Sequence, residues 1–251
     1  MARFSDASYP KLTVLVTETN SDNAIDLIKK TIGQGAEAYC LLMNMLPPLD
    51  KTPEGMKRIL DAMEGRPVYI ANYIGGNSEP SLTDDDLAEQ LLQMARLGVD
   101  LIDIRTDMFY RTPGEVTCDP IAVRKQKELI SELHKIGSEV LMSTHINEYL
   151  TPERVLEIGT LQRERGVDIA KIVTLVESEK ELDDAFKTNL LLKEKLGISY
   201  LFLCNGSYCK KHRLLNPVFG SCMYLCRENS NTSTVQPTLE AARAIRETLF
   251  S

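Results

Sequence analysis

The amino-acid sequence predicts a single α/β domain over residues 1–251, folded as a (β/α)8 TIM barrel. Eight apolar, β-rich runs follow a glycine or a turn, and amphipathic helical stretches separate most of them. The spacing from one run to the next is mostly about 30 residues, the size of a βα unit. A chain of 251 residues with 43% hydrophobic content can bury one large core. Eight such units therefore fit a closed barrel of parallel strands.

The predicted strands are near-continuously apolar, as a parallel strand requires when helices cover its outer face. The segment after the first strand contains no glycine, since residues 16–24 read Val-Thr-Glu-Thr-Asn-Ser-Asp-Asn-Ala. This argues against the alternative, a doubly wound open sheet, which usually has a glycine-rich phosphate loop there. The predicted strands are 11–17, 35–43, 66–72, 98–104, 137–143, 166–173 and 197–203, with a weaker eighth at 216–222.

Helix-capping signals open several of the stretches between the strands. Thr83 precedes three consecutive aspartates, which suit a helix N-terminus. Asp119 and Thr151 each precede a proline, the favoured first residue of a helix. The predicted helices are 23–34, 83–97, 119–136, 151–165, 179–195 and 237–249.

Charge and hydropathy exclude several classes of protein. The net charge of −7 argues against binding to nucleic acid through its phosphate backbone. No apolar run approaches the roughly 20 residues that cross a bilayer, so we expect no membrane partner. The first eleven residues contain an acidic residue and no apolar segment, so the sequence shows no signal peptide. We therefore expect a cytoplasmic protein.

The six cysteines are expected to be reduced thiols, because a chain of this length needs no disulfides for stability. Four of them lie near the C-terminus, where a metal site is the alternative. Their spacings differ from the paired Cys-x-x-Cys of a structural zinc site, so we expect no metal and interpret them as small buried hydrophobes. The cysteines concerned are Cys204, Cys209, Cys222 and Cys226, with His212 between them.

Lys171 is the first candidate catalytic residue, because enzymes of this fold carry their chemistry at the carboxyl ends of the strands. It lies inside the apolar run 166–173. If the side chain points into the barrel, desolvation lowers the pKa of its ammonium and yields a nucleophilic amine that can form a Schiff base. The alternative is a lysine whose amine extends to solvent from the strand end.

Other polar residues near strand ends are candidates beside it. His145 follows the strand that precedes the Lys171 strand, and an imidazole there can move protons at neutral pH; the alternative is a loop histidine with no role. Arg213 can hold a substrate carboxylate through two hydrogen bonds, and the alternative is a surface cation. Ser221 and the loop 230–238 offer hydroxyl and amide groups, which either close over a ligand or simply connect two elements. Asn44 and Asn72 are the candidates after the second and third strands.

Four segments together resemble the type I 3-dehydroquinate dehydratases. They are residues 139–152, 166–173, 213–221 and 232–238, which include Phe-Gly-Ser at 219–221. The resemblance implies a (β/α)8 barrel that dehydrates 3-dehydroquinate to 3-dehydroshikimate in the shikimate pathway of aromatic amino acid biosynthesis. It implies that Lys171 is the Schiff-base lysine, His145 the base and Arg213 the carboxylate ligand. It further implies ligand contacts from Ser233 and Gln236, a homodimer, and no metal or organic cofactor.

The N-terminal half departs from the pattern of this family. The family has Glu-x-Arg-x-Asp on its second strand, where this chain reads Cys40-Leu-Leu-Met-Asn44, and an arginine where this chain has Asn72. Its Asp-x-Glu on the fourth strand reads Asp103-Ile-Arg105 here. In the family these groups grip substrate hydroxyls and order the site. Three hypotheses follow: a Schiff-base dehydratase of a carboxylate-bearing keto acid, a class I aldolase or other lyase for a different keto acid, or a barrel that binds ligands without catalysis.

Overall fold

Eight parallel strands form a nearly closed barrel in the computed structural model, which describes residues 4–75, 77, 81–230 and 235–250. From the first strand to the seventh, each pairs in parallel with the next along the chain, and the eighth pairs in parallel with the first, so that the seventh and eighth strands are the two edges of the sheet. This confirms the predicted TIM-barrel fold. The strands are β1 (Lys11–Val16), β2 (Ala38–Leu42), β3 (Val68–Ala71), β4 (Leu101–Arg105), β5 (Glu139–His145), β6 (Ile169–Leu175), β7 (Ser199–Asn205) and β8 (Met223–Cys226).

Eight α-helices alternate with these strands in the described part of the chain. The six predicted helices are present, with boundaries set by the expected caps: the Thr83 and Thr151 side chains each accept a backbone N–H of the first turn. Two further helices, α2 and α7, are short and carry no long apolar period that the sequence would reveal. The helices are α1 (Ser21–Gly33), α2 (Pro53–Ala62), α3 (Asp84–Arg96), α4 (Pro120–Ile136), α5 (Pro152–Glu164), α6 (Glu179–Lys195), α7 (Cys209–Leu215) and α8 (Leu239–Leu249).

The predicted eighth strand at 216–222 is wrong. Asn216–Phe219 is a 3-10 helix, because Pro217 has no N–H for a strand ladder and its fixed φ suits the first turn of a helix. Gly220 then turns the chain with φ of +120°, and β8 begins three residues later. The backbone N–H of Cys222 donates to the carbonyl of Tyr200 near the start of β7, at 2.9 Å. Ser221 therefore lies at the amino end of β8, away from the face where the other candidates gather.

Alternating residues divide the core into an inner and an outer layer. Every strand contributes to the inner layer, with Ile169 and Val173 among its members. Lys171 lies between these two in phase, so the pleat directs its side chain into the barrel. The remaining buried side chains pack between the strands and the helices. No helix that the structure describes is both long and apolar enough to cross a bilayer.

Candidate active site

A cavity of about 180 Å³ opens at the carboxyl ends of the strands. An engineered cavity of about 150 Å³ in another protein holds benzene, so this space suits a molecule with a single six-membered ring. Its polar lining consists of Lys171, His145, Tyr73, Asn205, Arg213 and Gln236. Its apolar lining consists of Leu15, Cys40, Leu42, Val173, Leu203 and Leu225.

Lys171 is 6% exposed at the floor of this cavity. Its Nζ donates to Asp103 Oδ2 at 3.0 Å, to the Tyr69 hydroxyl at 3.0 Å and to the Tyr73 hydroxyl at 3.3 Å. The side chain therefore points into the barrel, and three polar side chains surround its buried amine. Its three partners lie on β4, on β3 and just after β3, 68 to 102 residues away along the chain, and the local sequence cannot reveal them.

One carboxylate oxygen, Asp103 Oδ2, accepts hydrogen bonds from the lysine and from both tyrosines. Asp103 is fully buried, and its Oδ2 accepts the Tyr69 hydroxyl at 2.5 Å and the Tyr73 hydroxyl at 2.6 Å besides the lysine. Burial, followed by the charge of Asp103, raises the pKa of both tyrosines well above the usual value. Both phenols therefore keep their protons at neutral pH and act as hydrogen-bond donors to Asp103.

His145 ends β5 and is held by Glu115, from the loop after β4. Its Nδ1 lies 3.1 Å from Glu115 Oε2, which also accepts the backbone N–H of His145 at 2.7 Å. Burial raises the pKa of Glu115, but the hydrogen bond and charge of His145 and the charge of Arg105 outweigh it and lower this pKa below its usual value. An ionised carboxylate only accepts, so we assign the ring hydrogen to Nδ1, which leaves Nε2 for a ligand.

Arg105 supports Glu115 in turn. Its guanidinium makes two hydrogen bonds to Asp107, at 2.9 and 3.1 Å, and its Nη2 lies 3.1 Å from Glu115 Oε1. Burial lowers the pKa of Arg105, but Asp107 and Glu115 more than compensate and raise it above its usual value. A charged chain thus runs from Asp107 through Arg105 and Glu115 to His145.

Arg213 brings a buried cation to the cavity beside the end of β7, the strand next to that of Lys171. Its Nε donates to the carbonyl of Cys204 at 2.8 Å and its Nη2 to Asn205 Oδ1 at 3.0 Å, while Nη1 is buried with no hydrogen-bond partner among the described residues. Burial lowers the pKa of Arg213 to about 10, so it stays charged at neutral pH. No carboxylate in the described ranges forms an ion pair with it, which leaves the charge available to an anionic ligand.

Three of the sequence candidates lie outside this cavity, and one lies outside the described residues. Asn72 is 1% exposed and donates to Gln90 of α3 at 2.9 Å, so its side chain serves strand–helix packing. Asn44 lies in a short 3-10 helix after β2, and Ser221 is fully buried at the amino end of β8. Ser233 belongs to 231–234, which is not among the described residues.

Three site residues, Tyr69, Tyr73 and Glu115, are not among those predicted from the sequence. Tyr69 and Tyr73 lie in and just after an apolar run where a phenol resembles any other core aromatic side chain. Glu115 follows Gly114 in a loop, and its backbone has a positive φ of 54°. No motif marks any of the three. Within the described ranges, no three His, Cys, Asp or Glu side chains group as a metal site, and all six cysteines are free thiols.

The fold and this cavity define a class of protein: TIM barrels with an inward lysine, a carboxylate-supported imidazole and a buried arginine at the carboxyl ends of the strands. The sequence model of the family described as type I 3-dehydroquinase matches residues 13–251, and the chain belongs to this family. This confirms the resemblance seen in the sequence. It also confirms the predicted enzyme class, because the family consists of dehydratases, which are carbon–oxygen lyases.

Solved structures agree with this assignment at the level of the fold. A type I 3-dehydroquinate dehydratase from Clostridium difficile, crystallised with covalently modified comenic acid, has a TM-score of 0.81 and 17% identity, over 96% of this chain and 93% of that one. The 3-dehydroquinate dehydratase of Geobacillus kaustophilus has a TM-score of 0.81 and 13% identity, over 96% and 91%. The enzyme from Enterococcus faecalis has values of 0.74 and 14%, over 96% and 94%. No curated protein matches the chain by sequence.

Proposed function

We propose that this protein is a Schiff-base-forming dehydratase of a small keto acid that carries a carboxylate, with conversion of 3-dehydroquinate to 3-dehydroshikimate as the reference reaction. One observation carries the proposal: Lys171, His145 and Arg213, from three different elements, line a single cavity of about 180 Å³. An amine nucleophile, an acid–base group and a carboxylate ligand are the three functions that this reaction needs.

The proposed reaction assigns one task to each group. Lys171 Nζ attacks the substrate ketone and forms an iminium, which withdraws electrons and acidifies the adjacent C–H bond. His145 Nε2 removes that proton and then returns a proton to the leaving hydroxyl, while Glu115 stabilises the imidazolium in between. Arg213 holds the carboxylate through its unpartnered Nη1. Hydrolysis of the conjugated iminium releases the enone and restores the lysine.

Borohydride trapping tests this proposal directly. Reduction in the presence of 3-dehydroquinate is expected to add one stable substrate-derived mass, located on Lys171 by peptide mapping. Lys171→Met is the matched control, because it removes the amine and keeps the length of the side chain. Turnover is followed by the absorbance of the enone. Label on another lysine, or no label with 3-dehydroquinate or any of several other keto acids, would refute the proposal.

The apolar lining supports a second candidate, a lyase of the same chemistry acting on a keto acid other than 3-dehydroquinate. Leu15, Cys40 and Leu42 from β1 and β2, with Leu225 from β8, form a wall without side-chain hydroxyl or charged groups. Burial raises the pKa of Cys40 to about 12, so its thiol stays neutral. A substrate hydroxyl buried against such a wall loses its hydrogen bonds to water at a cost of about 1–3 kcal/mol.

A panel of keto acids separates the two candidates. If the dehydratase reaction is the natural one, 3-dehydroquinate turns over and labels Lys171 faster than any other member of the panel. If the second candidate is correct, a keto acid with fewer hydroxyls, or an aldol substrate cleaved at a carbon–carbon bond, exceeds it. The same Lys171→Met control applies to every member.

The proposal also includes an oligomeric state and a cellular location. Cyclic dimers are the commonest assembly, and we propose a homodimer. Five of the six thiols are buried and none is in a disulfide, which supports a reducing cytoplasm. Light scattering coupled to size-exclusion chromatography measures the first, and a monomeric mass would contradict it. Localisation of the native protein in cell fractions tests the second.

A further inference from the structure

We propose that Tyr73 is a catalytic residue, whose phenol carries protons between the Lys171–Asp103 pair and the carbonyl oxygen of the substrate while the imine forms. The inference rests on the Schiff-base function proposed above and adds a residue to it. Among the described residues, Tyr73 is the one that both hydrogen-bonds to Lys171 Nζ and borders the cavity.

Three side chains accept hydrogen bonds from the Lys171 amine, and they differ in whether they border the cavity. Asp103 and Tyr69 are fully buried, and neither lines the cavity. Tyr73 lines the cavity and also lies 3.3 Å from Lys171 Nζ and 2.6 Å from Asp103 Oδ2. A proton on Asp103 therefore has a hydrogen-bonded route to a ligand through Tyr73, and Asp103 itself does not reach the ligand.

The chemistry requires such a route. An ammonium has no lone pair, so Lys171 must give up a proton before it attacks, and the nearest acceptor with a charge is Asp103 at 3.0 Å. The carbonyl oxygen must then gain two protons to leave as water. Both are present on the lysine at the start, and both must move from the buried side of the amine to the cavity side.

The protons and electrons balance over two passes of the relay. In the first, Asp103 takes a proton from Lys171, the amine pair forms the C–N bond, and the carbonyl oxygen takes the proton of Tyr73, which recovers one from Asp103. In the second, the nitrogen gives Asp103 another proton, and Tyr73 delivers a proton to the hydroxyl and recovers one from Asp103. The C–O bond breaks, water leaves, and the nitrogen pair forms the iminium, which keeps the third proton.

The state and position of Tyr73 suit this task. Its raised pKa keeps the phenol protonated, so that Tyr73 passes a proton on as it takes one from Asp103. Its hydroxyl also lies 3.3 Å from Ser143 Oγ, and its ring packs edge-on against His145, with centroids 5.7 Å apart. Tyr73 thus lies between the lysine and the imidazole, which leaves His145 for the adjacent C–H bond and Tyr73 for the carbonyl oxygen.

Tyr73→Phe tests the relay, and Tyr69→Phe is a matched control. Both variants lose one phenol that donates to Asp103 and accepts from Lys171, but only Tyr73 borders the cavity. The measurement is the rate of borohydride-trappable label on Lys171 with pyruvate and with 3-dehydroquinate. We expect Tyr73→Phe to slow labelling about 100-fold, in the range of acid–base catalysis, and Tyr69→Phe, which also removes one hydrogen bond to Lys171 and one to Asp103, to slow it by a smaller factor. Binding of the same keto acids, measured by calorimetry without borohydride in Lys171→Met and in Lys171→Met with Tyr73→Phe, is expected to agree within about twofold.

The outcomes separate the two proposals. Equal slowing in both variants, or labelling of Tyr73→Phe at the wild-type rate, overturns the role of Tyr73 and leaves the Schiff-base function standing. Absence of label in the wild-type protein with both probes and with the wider panel overturns both. If Tyr73→Phe does not fold, fluorotyrosine placed at position 73 keeps the hydroxyl and changes its acidity; a labelling rate that does not respond to this change overturns the relay.

Discussion

The Lys171–Asp103 pair provides a quantitative test of the site. The two side chains are 8% and 0% exposed, and their charged atoms lie 3.0 Å apart. With an effective dielectric constant of about 20, unit charges at this distance attract each other by about 5.5 kcal/mol. Removing one partner of a buried pair typically costs 3–5 kcal/mol, because the other charge stays buried without compensation.

The two phenols place the expected cost at the lower end of that range. After Lys171→Met, Asp103 still accepts the hydroxyls of Tyr69 and Tyr73; after Asp103→Asn, Lys171 still donates to both. We therefore expect each substitution to lower the free energy of unfolding by about 3 kcal/mol. The double variant is expected to lose about 3 kcal/mol rather than 6, since no unpaired charge remains, which gives a coupling energy of about 3 kcal/mol.

Urea unfolding of the four proteins measures this coupling, with the slope checked for equality so that the midpoints report stability alone. A loss of about 3 kcal/mol corresponds to a melting temperature lower by about 6–12 °C for a chain of this size. Losses that add to within about 0.5 kcal/mol would refute the reasoning, because they would show that the two charges do not interact in a buried site. Activity of Lys171→Met is then meaningful only below its own melting temperature.

Three further predictions concern the groups around the cavity. Glu115→Gln removes the charge that supports the His145 imidazolium; we expect kcat to fall about 10- to 100-fold with KM nearly unchanged, and an unchanged kcat in steady-state assays would contradict this. Because the folded pKa of Glu115 is lowered, its contribution to stability is present above the pKa of an unfolded glutamate and is lost as pH falls through the folded value. The difference in melting temperature between wild type and Glu115→Gln should therefore shrink as pH falls below about 4.5, and a constant difference down to acid pH would contradict this. Arg213→Lys keeps the charge and loses the planar contacts; calorimetry should show at least about tenfold weaker binding of a keto acid with little effect on its methyl ester, and equal losses for both would argue against a carboxylate contact.

The helices and strands could be predicted from the sequence where residues close together in the chain determine them. The capping residues Thr83, Asp119 and Thr151 fix three helix starts, and glycines before the apolar runs mark the turns into the strands. Pro217 shows the limit of this reading. The apolar run around Pro217 has the composition of a strand. Because proline has no N–H to donate to a neighbouring strand, this segment forms a 3-10 helix, and β8 begins six residues later at Met223.

The site likewise contains residues that the sequence identifies and residues that it does not. His145, Lys171 and Arg213 are recognisable because each is a reactive or charged group at the end of an apolar or motif-bearing segment. Their partners are not, because the contact between Lys171 and Tyr69 spans 102 residues and the one between His145 and Glu115 spans 30. When two residues far apart in the sequence meet only because the barrel folds, the sequence around either residue does not identify its partner.

In the proposed reaction, the groups that carry out the chemistry and the residues that select the substrate lie on different elements of the barrel. The lysine, histidine and arginine come from β6, β5 and α7, respectively, whereas β1 and β2 supply only wall residues, Leu15, Cys40 and Leu42, on the other side of the same cavity. The hydrogen-bond partners of Lys171 Nζ lie on β3, just after β3 and on β4, so we expect exchange of side chains on β2 to displace it little. The charge of Arg105 is likewise balanced locally, because it pairs with Asp107 and Glu115 in the loop that follows β4. The Glu115 carboxylate also contacts His145. Under the proposed function, the amine, the imidazole and the guanidinium carry out the reaction, and the residues of the β1–β2 wall determine which keto acid binds.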